Sequence, residues 1–212
     1  MKARRPYGFT MIEVIVTTAI ICILAALLFP VVKNTMATMN RSSCLAQMAA
    51  YGKAIQLYAA DNNQSLPGPI YREMAGVYGS WAPTRISSFI APYLSLPQTT
   101  TLAYSKKLQC PAFLRVYKAD PQAWGAYSYV LNKQVSLNGA ALNPWGNPSG
   151  NTSWGRVAPA TFPELAALDD GLSKTWMMQD FDGPDAAVAS PVHRDFRNRM
   201  FFDLHAESVS SR

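Results

Sequence analysis

The pattern of hydrophobic and polar positions divides the chain into three stretches. From Phe9 to Phe29 the run is nearly all apolar, broken by three threonines, Thr10, Thr17 and Thr18, and by one charge, Glu13. As a helix rising 1.5 Å per residue, this run spans roughly 32 Å, the hydrocarbon thickness of a bilayer. A buried core helix is the alternative, but such helices are rarely apolar all round over six turns, so the pattern predicts a membrane segment over 9–30. Beyond Pro30 the apolar positions open to helical spacing: Met36, Met39, Leu45, Met48, Ile55 and Tyr58, with Lys33, Asn40, Arg41, Gln47 and Lys53 between them. This predicts an amphipathic stalk helix over 31–62, stopped by Asp61-Asn62-Asn63 and by Pro67-Gly68-Pro69. A continuous helix from Phe9 to Ala60 would be roughly 78 Å long.

Residues 63–212 are turn-rich. A short helix is predicted near Arg85 to Leu94, with Ile86, Phe89, Ile90 and Tyr93 on one side. Tyr127–Val130, Thr175–Met178, Met200–Phe202 and Ala206–Val209 read as strands. Asn138–Trp154, rich in Gly, Asn, Pro and Ser, reads as a long surface loop. The expected fold class is α+β: a long N-terminal helix, membrane anchor plus stalk, packed against a small antiparallel β-sheet domain.

Composition and charge narrow the setting. Of 212 residues 49% are hydrophobic and 15% charged, which excludes a disordered chain. The net charge is +6, and Lys2, Arg4 and Arg5 supply three of it, leaving +3 for the rest. The basic tip keeps its flank cytoplasmic and places everything after Pro30 outside. No dense Lys/Arg stripe remains for a phosphate backbone, so nucleic-acid binding is not expected. The far end of the apolar run, Leu27-Leu28-Phe29-Pro30, lacks the small-x-small site of a signal peptide. The helix is therefore expected to stay on the mature protein.

A carboxylate in a membrane helix costs a few kcal/mol by insertion scales, about 3 at the helix centre, so Glu13 requires a partner or a headgroup-level position. The residues Gly8-Phe9-Thr10-Met11-Ile12-Glu13, after a short basic leader, resemble the processing signature of type IV prepilins and type II secretion pseudopilins. That resemblance implies cleavage of a leader, residues 1–8, between Gly8 and Phe9, with N-methylation of Phe9 by a prepilin peptidase/methyltransferase. It also makes Glu13 the assembly residue. Cutting on this side leaves the whole apolar helix attached and creates a positive amine one turn from Glu13. A neighbouring subunit's amine could then neutralise Glu13, and mismatched stacking would leave a buried charge. Pro30 matches a proline common in the family's first helix and predicts a kink at Ala26, or else the end of the membrane helix. The segment Cys44–Pro67 is similar to the stalk of a large prepilin-like group of bacterial genomes. His193, nine residues, then Asp203 resembles that group's His-x9-Asp-Gly motif, with Asn198, Phe202 and His205 fitting its surroundings and Leu204 standing where the motif has glycine. Cys110-Pro111 and Tyr127-Ser128-Tyr129 resemble further landmarks.

Other chemistry is sparse. His193, Asp203 and His205 are a candidate metal or acid–base set, or a hydrogen-bonded hairpin. Asp180, Asp182 and Asp185, beside the turn glycine of Asp-Phe-Asp-Gly-Pro-Asp, offer oxygens suited to calcium, or form an ordinary acidic turn; the closing bidentate Glu is absent. Some type II major pseudopilins hold calcium in their outer domain. Cys22 lies in the anchor, and Cys44 and Cys110 are the pair open to a disulfide. Gly-x-Ser-x-Gly, P-loop, zinc-helix and dinucleotide fingerprints are missing, so no cofactor and no catalysis are expected.

The resemblance implies a structural subunit, pseudopilin or minor pilin, in the bacterial inner membrane with its C-terminal domain extracytoplasmic. Its implied partners are the peptidase, other pilin or pseudopilin subunits, the inner-membrane assembly platform and the membrane. The alternative is an anchored glycan- or protein-binding protein that does not polymerise, contacting its ligand through Trp81, Trp145 and Trp154. A tethered hydrolase using His193 and Asp203 is a third reading.

Overall fold

The computed structural model describes residues 9–123, 125–150, 156–183, 186, 188–189, 191–193 and 195–210. One helix, α1, runs Met11–Asp61, and the chain divides into two units at Met39/Asn40. In the first unit the large apolar side chains of α1 are exposed on every side, from Met11 at 82% through Leu27 at 67% to Val31 at 60%. None of its most apolar stretch is buried. The helix continues through Pro30 instead of ending there. Proline removes one backbone hydrogen bond, and the turns on either side remain helical.

In the second unit, α1 from Asn40 onward buries a stripe at helical spacing: Cys44, Met48, Tyr51, Ala54, Ile55 and Ala59. Sequence periodicity selected Met36 and Met39 for this face, but both are exposed, because the seam begins only where there is a sheet to cover it. That sheet is antiparallel with order β1-β4-β7-β8-β9, formed by β1 (Glu73–Ala75), β4 (Tyr127–Leu131), β7 (Trp176–Asp180), β8 (Phe196–Phe201) and β9 (Ala206–Ser210). The expected strands are all present. β8 begins four residues earlier than Met200, since Asn198 and Arg199 pair fully with β9 despite their polarity. Two small two-stranded sheets accompany it, β2 (Val77–Tyr78) with β3 (Ala103–Tyr104), joined across α2, and the hairpin of β5 (Val135–Leu137) with β6 (Ala140–Leu142). The helix predicted near residue 85 is α2 (Ile86–Ile90) followed by a 3₁₀ turn at Pro92–Leu94, and α3 (Pro111–Val116) and α4 (Phe162–Leu165) are short.

The helix meets the sheet through paired aromatics and polar ties. Tyr51 and Tyr129 cross edge to face at 5.7 Å. Tyr129 donates its hydroxyl to Gln47 Oε1 at 2.8 Å and Tyr51 donates to the Lys107 carbonyl at 2.8 Å. Arg41 lies over the Phe196 ring at 4.2 Å and donates from Nε to Ser208 Oγ at 2.6 Å, fixing α1 to β8 and β9 together.

The stretch 138–154 departs from the expected surface loop. It begins with the hairpin strand β6, and Asn143, Trp145 and Asn147 are buried. Trp145 is fully enclosed, packs near Phe202 and donates Nε1–H to the Asn132 carbonyl at 2.8 Å, so turn-forming composition here hides a core anchor. Residues 151–155, with Trp154, lie outside the described residues.

Gly68 is where this anchor meets the chain leaving α1. A Cβ there would stand 2.2 Å from the Trp145 carbonyl oxygen, a backbone atom with no freedom to rotate away. Gly68→Ala is therefore expected to destabilise the domain by about 3 kcal/mol, a drop in Tm of roughly 10 °C. The check is thermal unfolding of the detergent-solubilised chain followed by near-UV circular dichroism.

Candidate functional site

At the N-terminal end, Phe9 is 87% exposed and Gly8 lies outside the described residues. Thr10 and Glu13 close a reciprocal cap on α1. Thr10 N–H and Thr10 Oγ1 each donate to Glu13 Oε2 at 2.8 Å, while Glu13 N–H donates back to Thr10 Oγ1 at 3.3 Å. This is the S/T-x-x-E capping box, written in the sequence as Thr10-Met11-Ile12-Glu13, and it gives Glu13 an intrachain role that the sequence reading had not assigned. All around it the helix presents unpartnered apolar side chains.

The C-terminal candidates separate into two settings. His193 precedes β8 and Asp203 follows it, so the strand holds them at opposite ends, roughly 20 Å apart along six residues. They form no common metal or acid–base set. At the far end Asp203 Oδ1 and His205 Nδ1 are 2.5 Å apart on the surface, with His205 stacked on Phe201 at 4.4 Å. Leu204, at the motif's glycine position, has φ 71°, the left-handed conformation that glycine adopts without strain.

At the near end, His193 is buried in a polar cluster under α1. Its Nε2 is 3.4 Å from Cys110 Sγ and 3.4 Å from Asp180 Oδ2. Cys44 and Cys110 form a disulfide, with Cα atoms 5.2 Å apart, that ties α1 to the residue preceding α3. Its 66-residue separation makes it worth on the order of 4 kcal/mol in the loop-entropy account. Asn198 N–H donates to Asp180 Oδ2 at 2.7 Å, and Asn198 Oδ1 accepts from Ser208 Oγ at 2.5 Å. Asp182 is committed elsewhere: Arg197 Nε donates to its Oδ1 at 2.8 Å and Val192 N–H to its Oδ2 at 3.0 Å. Calcium at Asp180 and Asp182 would have to displace that guanidinium and the imidazole contact, and Asp185 lies outside the described residues.

Residues 3–29 match the family model for the prokaryotic N-terminal methylation motif. The chain begins as a prepilin does. No curated protein and no solved structure matches the chain, and the His-x9-Asp motif lies outside the matched residues. Together with the long helix and the antiparallel sheet, the methylation motif makes the fold α+β and pilin-like and supports a type IV pilin-like or pseudopilin subunit. The motif implies processing by a prepilin peptidase and assembly with other pilin subunits, and the apolar helix suits a single membrane pass.

Burial decides the charge of the inner cluster. It raises the Asp180 carboxyl to about 8, opposed by the Asn198 N–H bond and reinforced by Asp182, and it lowers His193 to about 4. Both groups are then neutral near pH 7, so their 3.4 Å contact is one between uncharged partners and not an ion pair. Asp180 Oδ1, Asn198 Nδ2 and Ser128 Oγ are buried without hydrogen-bond partners among the described residues. Neither the Asp180–His193 pairing nor the Asp182–Arg197 pairing has a local sequence signal; each joins residues brought together by β7 and β8.

The pH dependence follows from proton counts. Between about pH 4 and 6.5 the folded pair carries one proton on Asp180, and the unfolded pair carries one on His193, so stability is level. Between 6.5 and about 8 the folded pair keeps its proton and the unfolded pair has none, so stability falls as pH rises, by about 2 kcal/mol in all. Tm of the oxidised chain, measured with chelator present, should decline across that window. Asp180→Asn, which keeps the acceptor for Asn198 and removes the ionisation, should flatten the decline.

Proposed function

We propose that the chain is a structural subunit, a pseudopilin or minor pilin, of a type IV pilus or type II secretion pseudopilus. It is inserted in the inner membrane with its basic tip cytoplasmic and its sheet domain extracytoplasmic, and it catalyses no reaction. A peptidase removes residues 1–8 and methylates Phe9, and the helix then enters a helical polymer on the inner-membrane assembly platform. The observation that carries this reading is the methylation motif at 3–29 running into a helix whose apolar side chains up to Val32 are bare on every face, with Glu13 the one charge from Phe9 to Val32. Such a surface is suited first to lipid and then to the same helices of neighbouring subunits.

The anchored, non-polymerising binding protein is supported by a second feature. Trp81 is 76% exposed, and its neighbour Ser80 lines a largely apolar groove of about 410 Å³ together with Tyr78, Phe89, Pro92 and Thr99, a surface suited to a glycan or a protein partner. Trp145, which the sequence offered for the same role, is buried and takes no part.

One measurement tests the processing on which assembly depends, and a second separates the two readings. Mass spectrometry of the mature N-terminal peptide should give a start at Phe9 carrying one added methyl; a start at Met1 or beyond Pro30 defeats both processing and assembly. Cysteines placed on the stalk should give an ordered ladder of crosslinked subunits in wild type. Glu13→Gln should lose that ladder at least tenfold while remaining membrane-bound, whereas a non-polymerising anchor gives no ladder in either form.

A further inference from the structure

The inner cluster holds a donor set larger than a crosslink requires. Cys44 Sγ, Cys110 Sγ and His193 Nε2 all lie within 4.8 Å of one another, and all three residues are buried. Asp180 Oδ2 stands 3.4 Å from His193 Nε2 and is buried as well. With Zn–N and Zn–O near 2.0 Å and Zn–S near 2.3 Å, ligand atoms on a tetrahedral zinc stand about 3.3 to 3.8 Å apart. The imidazole already has that spacing to one sulfur and to the carboxylate. The sulfurs must separate, which rotation about their Cα–Cβ bonds permits once the bond between them is gone, and the Asp180 carboxylate, close to the imidazole but outside the group of three, must turn toward them to complete the tetrahedron. Asp180 Oδ1 and Asn198 Nδ2 are partnerless in the same cluster, so the oxidised form leaves polar capacity there unused.

We propose that the reduced chain binds one zinc-class divalent cation through Cys44, Cys110 and His193, with Asp180 as fourth ligand. Soft thiolate and imidazole donors select this class over calcium or magnesium. The cation would join the same elements that the disulfide joins, α1 and the start of α3, and would add the segment before β8. A dithiol reductant delivers two electrons and two protons to the S–S bond and leaves as its own disulfide, giving two thiols. Cation binding then releases both thiol protons and the Asp180 proton. In the return direction a disulfide oxidant accepts two electrons from the two thiolates and two protons from solvent and leaves as a dithiol; the S–S bond forms, the cation departs and Asp180 takes back its proton. The ligands leave the site at −1, which Arg41, whose charge already acts on His193, offsets. The inference does not depend on assembly into a filament.

Cobalt(II) is the probe. The full chain in detergent, reduced with a phosphine and stripped with chelator, is titrated with Co²⁺ and then with Zn²⁺. The reduced wild type should show a thiolate-to-cobalt charge-transfer band and tetrahedral d–d bands at one Co²⁺ per chain, abolished by Zn²⁺, and the oxidised chain should show neither. Cys22→Ser should leave the bands unchanged, His193→Ala should weaken binding more than tenfold, and Asp180→Asn about tenfold. If reduction alone collapses the near-UV circular dichroism, Zn²⁺ should restore it. A reduced wild-type chain with no thiolate band and no recovery by Zn²⁺ overturns the proposal, and so do bands of equal strength in wild type and His193→Ala.

Discussion

A helix that is apolar on every face cannot be accommodated by its own domain. Fifteen large hydrophobic side chains between Phe9 and Val32 are half or more exposed. At about 1.5 to 3 kcal/mol for burying each, their transfer from water amounts to some 20 to 45 kcal/mol. That exceeds the 5 to 15 kcal/mol that typically holds a domain together. The surroundings of this rod therefore decide where the molecule can exist, and lipid or other apolar helices are the two environments that satisfy it. The pilin-like design follows from this constraint: one helix supplies both the insoluble segment and, further along, the spine on which a soluble domain is built.

The spine is held by a different kind of interaction. Cys44, Met48, Tyr51 and Ile55 give α1 a narrow seam, and the sheet brings Tyr129 and Met200 to it. Under the N-terminal end of that seam the core is polar, with Asp180, His193 and Asn198 all buried beside the disulfide. Burying these groups charged would cost several kcal/mol each, and the structure avoids this by keeping them neutral and hydrogen-bonded. The disulfide is thus set in a site with acid–base and ligand chemistry of its own, which a crosslink lodged among leucines would lack.

Sequence patterning captured what depends on local periodicity and missed what depends on tertiary pairing. The membrane-length run, the helix stop at Asp61 and the two C-terminal strands are all local signals, and each has its counterpart in the structure. The seam was misplaced toward Met36 and Met39 because periodicity reports which face is apolar and not where a partner begins. Trp145 was hidden by the turn residues around it. His193, Asp203 and His205 look adjacent in sequence, yet an intervening strand carries them apart, while Asp180, thirteen positions upstream of His193, is its neighbour. Leu204 shows the limit of motif reading in the other direction: the residue departs from glycine, and the backbone keeps the conformation that glycine would take.

Glu13 joins processing to assembly as one electrostatic problem. The capping box gives the carboxylate two hydrogen bonds from Thr10, but both donors are neutral. They satisfy its lone pairs and leave its charge uncompensated, and in a low-dielectric setting that remaining charge is the larger cost. Along the helix the next charge is Lys33, twenty positions on and about 30 Å away, too far to help. Lys2, Arg4 and Arg5 belong to the leader and leave with it when the chain is cut. On the proposed reading, cleavage at Phe9 exchanges those diffuse positive charges for one amine at a fixed place on the rod. An amine at that height can meet the carboxylate of an adjoining helix at only one axial offset, so the same cut that matures the subunit also sets its register.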